Sequence, residues 1–233
     1  MRRLTKLYLD LDATTRTSDK VALLTEYFNE VPDADAAWAV ALLLGERPKG
    51  APSSTALRTL ALQQTGLPGW MLSECRAAVG DLSETLALLI PERDTAAHNT
   101  EPLHEVMQDR VLALAGASDD ERKAIIADAW SRFSRDERLV YHKLLRGGFR
   151  VGVQRSLVAR ALARLAGVEQ AEMEHRLAGG YTPTPEAYRA QLVPPAADAP
   201  RPGPIKHAKP IAADPAEHRP PAPSNAQRKR ARN

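Results

Sequence analysis

Apolar residues return every three or four positions along most of the first 193 residues, and Val, Ile and Thr nowhere cluster into alternating runs. That period belongs to amphipathic helices rather than to strands. Val21, Leu24, Tyr27, Phe28 and Val31 mark one stripe, and Trp38, Ala41, Leu42 and Gly45 mark the next. Ser118-Asp119-Asp120-Glu121 and Ser134-Arg135-Asp136-Glu137 fit the capping box, in which a hydroxyl and a glutamate satisfy each other's backbone N–H groups. Thr184-Pro185 sets a hydroxyl cap before a first-turn proline. Gly66, Gly80, Gly116 and Gly167 each follow an apolar periodic run, where a left-handed C-terminal residue is expected. The pattern predicts an all-α chain of about eleven to twelve short helices with no sheet.

The chain also matches itself after a shift of about 101 or 102 residues. Lys20-Val21-Ala22-Leu23-Leu24 falls on Arg122-Lys123-Ala124-Ile125-Ile126, and Leu43-Leu44-Gly45-Glu46-Arg47 falls near Leu144-Leu145-Arg146-Gly147-Gly148. Each half reads as two amphipathic helices, a basic turn rich in Gly or Pro, and a third helix. A duplication of this kind predicts pseudo-two-fold symmetry, with the two basic turns at related positions on one surface. The backbone of a duplex polynucleotide has a local dyad of the same kind.

Length and composition allow one ordinary domain or two small ones, since 233 residues are 43% hydrophobic and only 5% aromatic. No apolar run approaches the ~18 residues of a membrane span, and the N-terminus lacks a secretory pattern, so a soluble, cytoplasmic protein without a membrane partner is expected. A single cysteine, Cys75, excludes an internal disulfide framework and a multi-cysteine zinc site. It reads as a small core filler, and Trp38, Trp70 and Trp130 read as core anchors. His98, His104, His142 and His175 show no metal-ligand spacing and read as surface or half-buried residues.

Charge is unevenly placed. Residues 1–193 hold 24 Lys and Arg against 26 Asp and Glu, whereas residues 194–233 hold 8 against 3 together with 10 prolines. That composition predicts a domain at 1–193 and a disordered tail at 194–233. The tail end, Gln227-Arg228-Lys229-Arg230-Ala231-Arg232, is either a solubilising terminus or a weak, non-specific attraction to nucleic acid. Gly80 to Glu121 carries 10 acids and 2 bases, and Arg122 to Arg164 carries 11 bases and 3 acids. Such blocks are ordinarily solvated helix faces, but a cationic block that also holds a glycine-rich turn points to a polyanion.

The candidate contacts lie in the two turns. In the second, three glycines leave backbone N–H groups uncovered, and the next helix starts with unpaired amides and its positive dipole end. Arg146, Gly148, Arg150, Gly152, Gln154 and Arg155 form this set, the arginines offering planar donors to phosphate oxygens. Arg47, Lys49 and Ser53 form the counterpart in the first turn. The alternative is a pair of plain interhelical loops with solvated arginines.

These residues resemble the N-terminal DNA-binding domain of ATP-dependent DNA ligases, most closely the bacterial enzymes. The resemblance rests on Leu11-Asp12-Ala13-Thr14-Thr15, on Lys20-Val21-Ala22-Leu23-Leu24, on Gly45-Glu46-Arg47-Pro48-Lys49 and on Val79-Gly80-Asp81-Leu82-Ser83-Glu84-Thr85. It continues through Phe149-Arg150-Val151-Gly152-Val153 and Pro183-Thr184-Pro185-Glu186-Ala187-Tyr188, and so spans roughly residues 1 to 193. It implies an all-helical, pseudo-symmetric body that grips duplex DNA across the minor groove on both sides of a nick, with the turns at Arg47 to Ser53 and Arg146 to Gln154 on the backbone. The parent reaction is nick sealing in repair, recombination or replication. Gln154, where a small residue is commoner, and the doubled Gly147-Gly148 depart from the family pattern.

Ligation in that family needs a lysine in a Lys-x-Asp-Gly motif, and none of Lys6, Lys20, Lys49, Lys123, Lys143, Lys206, Lys209 or Lys229 lies in one. The family's catalytic domain uses ATP and Mg; no cofactor is expected for this chain, which should bind without ligating. The tail then fits either a genuine extension or a truncated or out-of-frame read, and a separately encoded catalytic core is a candidate partner. The rival reading is a helical scaffold that presents the acidic stretch from Gly80 to Glu121 to a basic protein.

Overall fold

The computed structural model describes residues 1–92, 99–149 and 151–193. The chain divides into two units, Met1–Ala199 and Pro200–Asn233, and every described residue belongs to the first. The disorder expected for the tail, together with Arg150 and His98, lies outside the described residues.

Twelve α-helices and no strand occur among the described residues. In chain order, α1 (Arg2–Ala13), α2 (Thr17–Glu30), α3 (Asp33–Leu43), α4 (Ser54–Thr65), α5 (Gly69–Val79) and α6 (Leu82–Leu89) make a first set. A short α7 (Leu103–Glu105), α8 (Asp119–Arg132), α9 (Arg135–Leu145), α10 (Arg155–Ala166), α11 (Gln170–Ala178) and α12 (Pro185–Leu192) make the second. Between α7 and α8 the chain passes through a π-helical turn, Val106–Val111, and a 3-10 turn, Leu112–Ala115.

The two sets are one unit repeated. Both ends of α2 and α3 map onto α8 and α9 at a shift of 102, and both ends of α4 map onto α10 at 101. The slippage has a local cause. Relative to α1, the segment from α7 to Ala115 carries one extra residue, and a π turn is what an α-helix becomes when it takes in one residue. The loop between α9 and α10 is in turn one residue shorter than the loop between α3 and α4, which restores the register.

Packing across the repeats is reciprocal. Helix α6 packs on α9 while α12 packs on α3, α1 meets α9 while α7 meets α3, and α10 packs on α2 while α4 meets α8. Each repeat therefore completes its core with helices from the other, which is the exchange a pseudo-two-fold axis requires. One continuous apolar core results, including Leu24, Phe28, Val40, Leu86, Tyr141, Leu162 and Tyr188. Truncating any of its fully buried leucines to alanine removes roughly 2–5 kcal/mol.

Most local signals act as expected. Ser118 and Ser134 form complete capping boxes with Glu121 and Glu137. Thr184 accepts from the Ala187 N–H ahead of Pro185. Gly66, Gly80 and Gly167 end α4, α5 and α10 in the left-handed region.

Five expectations need correction. Gly116 has φ −100°, because the segment before it ends as a 3-10 turn rather than an α-helix needing a left-handed stop. Helix α3 is not striped: Ala36, Ala37, Ala39, Val40, Ala41, Leu42 and Leu43 are all buried because neighbours surround it, while Trp38 is half-buried and Gly45 exposed. Trp70 is 66% exposed at the start of α5 and anchors nothing, whereas Trp130 is buried. His142 is fully buried, fixed by a hydrogen bond at each ring nitrogen. Cys75 is only half-buried.

Candidate nucleic-acid interface

Helix α3 ends at Leu43 and α4 begins at Ser54, and the first basic turn is the chain between them. The second turn runs between the end of α9 at Leu145 and the start of α10 at Arg155. The reciprocal packing brings these turns into contact. The Arg47 side chain lies against Gly147, so that a Cβ at residue 147 would stand 2.9 Å from Arg47 Cδ and 3.0 Å from its Cγ. Leu42, Gly45, Glu46 and Arg47 line one recess together with Leu144, Gly147 and Phe149. The turns meet on one side of the body, and Arg47, Lys49, Ser53, Arg146, Gly148, Gly152, Gln154 and Arg155 all face solvent.

Each turn is pinned by a residue of the opposite repeat. Gly50 has φ +80° and packs so closely on Ala115 that a Cβ would come 2.2 Å from the Ala115 Cα, which only glycine permits. The neighbouring Leu114 carbonyl accepts from Arg122 Nε at 2.9 Å. In the second turn the pin is Lys20, whose Nζ donates to the Val151 carbonyl at 2.8 Å and the Gly152 carbonyl at 3.3 Å. Lys20 and Arg122 hold equivalent positions in α2 and α8.

Helix starts complete the surface. Ser53 caps α4 by accepting the Ala56 N–H at 3.1 Å. Gln154 begins α10 with no side-chain cap, and among the described residues the N–H groups of Gly152, Val153 and Gln154 donate to nothing. Exposed amides at the positive end of a helix attract anions. The Gly148 N–H is committed instead to the Lys143 carbonyl at 2.9 Å.

Several charges of the two blocks are paired within the domain. Arg110 binds Glu101 and Asp128, Arg132 also binds Asp128, and Lys143 binds Asp81 at 3.0 Å. Burial of Asp81 opposes its ionisation, but the Glu84 N–H and Lys143 outweigh that and hold its carboxyl below the usual range. The turn cations are freer. Arg47 and Lys49 pair with no carboxylate among the described residues, and Arg146 makes one long bond, 3.4 Å, to Ser83 Oγ. Arg155 is committed differently: its guanidinium donates to the Leu177 carbonyl at the end of α11. Arg160 is held by Gln170, while Arg164 stands exposed further along α10.

Sequence reasoning did not single out Lys20 or Gly50. One available signal is the register of the repeat, which sets Lys20 against Arg122 and Gly50 against Gly152.

Among the described residues no group of three or more His, Cys, Asp or Glu is placed to hold a metal ion. No helix among them is long and apolar enough to cross a membrane.

Two helical repeats that bring two exposed, glycine-bearing turns with basic side chains together define a duplicated all-α module. The family model described as DNA ligase N terminus matches residues 1–163, and the chain belongs to that family. The match ends within α10, before α11 and α12.

Proposed function

We propose that the joined turns hold the sugar–phosphate backbone of duplex DNA, nicked or intact, without choosing among sequences. The single observation that carries this reading is the contact of Arg47 with Gly147, which merges two exposed cationic turns and two helix starts into one surface. Cations and amides of this kind contact phosphates and set position and affinity, not base preference.

The binding unit runs to Val193, because α12 packs on α3 and its loss would bare the central helix. Its place is in ATP-dependent nick sealing during repair, recombination or replication. The chain supplies DNA binding in that reaction, while ATP, Mg and the nucleotidyltransferase chemistry belong to a catalytic core, separately encoded if this chain acts alone. The scaffold reading loses support, because acids of the Gly80 to Glu121 stretch bind cations of the chain itself.

Fluorescence anisotropy with labelled nicked and intact duplexes across a salt series tests the reading. With about four to six phosphates contacted, log affinity should fall against log salt with a slope of roughly −4 to −5. A flat salt response, or no binding at low salt, rejects it.

A further inference from the structure

Lys20 is a buried lysine, 8% exposed, that meets no carboxylate among the described residues and gives its ammonium to two backbone carbonyls of the second turn. A cation buried without a counter-charge is costly, and hydrogen bonds to carbonyl dipoles offset that cost. A surface lysine would serve as well if attraction of a polyanion were all that this position did.

The peptide geometry shows what the buried one achieves. In a trans peptide the carbonyl of one residue and the N–H of the next point in opposite directions, and no cis peptide occurs among the described residues. Turning the Val151 and Gly152 carbonyls inward onto Lys20 therefore turns the N–H groups of Gly152 and Val153 away from it. Among the described residues those N–H groups have no partner, and Gly152 is exposed. The close approach also excludes a side chain, since a Cβ at residue 152 would stand 2.8 Å from Nζ at φ +62°.

We infer that Lys20 is a positioning residue: it aims the Gly152 and Val153 amides at a phosphate oxygen without touching the nucleic acid itself. This inference rests on the proposed DNA-binding role of the turn. An exposed lysine acting as a phosphate contact would release a counterion, whereas a buried one that orients amides changes affinity and leaves the salt slope alone.

The full chain and Lys20→Met, which keeps the aliphatic stem and removes the ammonium, are compared by two readouts. In anisotropy, Lys20→Met should bind nicked duplex about tenfold more weakly with an unchanged salt slope. Unchanged affinity, or a slope that falls by about 1, overturns the inference. In amide NMR, inorganic phosphate should shift the Gly152 and Val153 signals of the parent chain and leave them still in Lys20→Met. Absence of the shift in the parent overturns the inference even if the variant does not fold. If neither chain binds duplex while the phosphate shifts behave as stated, the clamp reading falls and the role of Lys20 stands.

Discussion

The indole N–H of Trp130 donates to Nε2 of His142 at 2.7 Å, and this fixes the imidazole as neutral. Its other nitrogen then carries the proton toward the Ser83 carbonyl, 3.1 Å away. Burial pushes the His142 pKa down to about 4. The unfolded chain binds that proton near pH 6.5, so His142 contributes stability that is complete above pH 6.5 and lost as pH falls toward 4. The loss amounts to about 3 kcal/mol. Urea titrations at half-unit pH steps should show it above the range in which Asp81 and Asp128 protonate. His142→Gln, which cannot titrate, should flatten that part of the curve, and an unchanged curve would assign the slope to other groups.

Arg47 and Arg146 stand on neighbouring turns with few internal commitments. Replacing both with alanine should weaken every duplex to a similar extent and make the salt slope shallower by about 2. Circular dichroism should be unaltered, because both side chains are exposed. Full affinity in the double variant would remove these turns from the contact surface.

Gly147→Ala meets two obstacles, a φ of +64° and the Arg47 stem. Left-handed backbone costs roughly 1 kcal/mol in alanine, and the displaced Arg47 should cost affinity as well. Combining Gly147→Ala with Arg47→Ala should lose less affinity than the two single losses added together, since both disturb one contact. Strict additivity in anisotropy would mean that the turns act independently.

Arg138 is fully buried at the junction of α6 and α9, where its Nη1 donates to the Ile90 and Pro91 carbonyls at 2.7 and 3.0 Å. Burial draws its pKa below the ordinary guanidinium value, with the Glu92 charge opposing that shift. Arg138→Ala leaves two carbonyls unmet and a cavity, an expected loss of about 3 kcal/mol. Arg138→Met should lose less, because its unbranched side chain fills much of that cavity. Thermal melts of both variants settle the order, and an alanine variant as stable as the parent would show that the carbonyls find other donors.

Local signals explain what could be read in advance. Ser134 and Glu137 satisfy each other within one turn, so their role is visible in four consecutive letters. The stripe from Val21 to Val31 is visible because α2 buries one face. Trp70, His142 and α3 depart from the sequence pattern for the opposite reason: burial there depends on neighbours that come from distant sequence. Lys20 bonds to a carbonyl 131 residues away, a partner that no pattern near it in the sequence announces. The site was legible as two basic turns, and their direct contact was not, since it depends on how α6 and α12 cross between repeats.

The compensating slips of register leave a mark beyond bookkeeping of residues. One jaw is longer, carries Pro48 and Pro52 and ends in a hydroxyl cap; the other is shorter, carries three glycines and begins its helix uncapped. Twin halves have thereby become unequal, and a partner that lacks a true dyad would meet them in two inequivalent orientations.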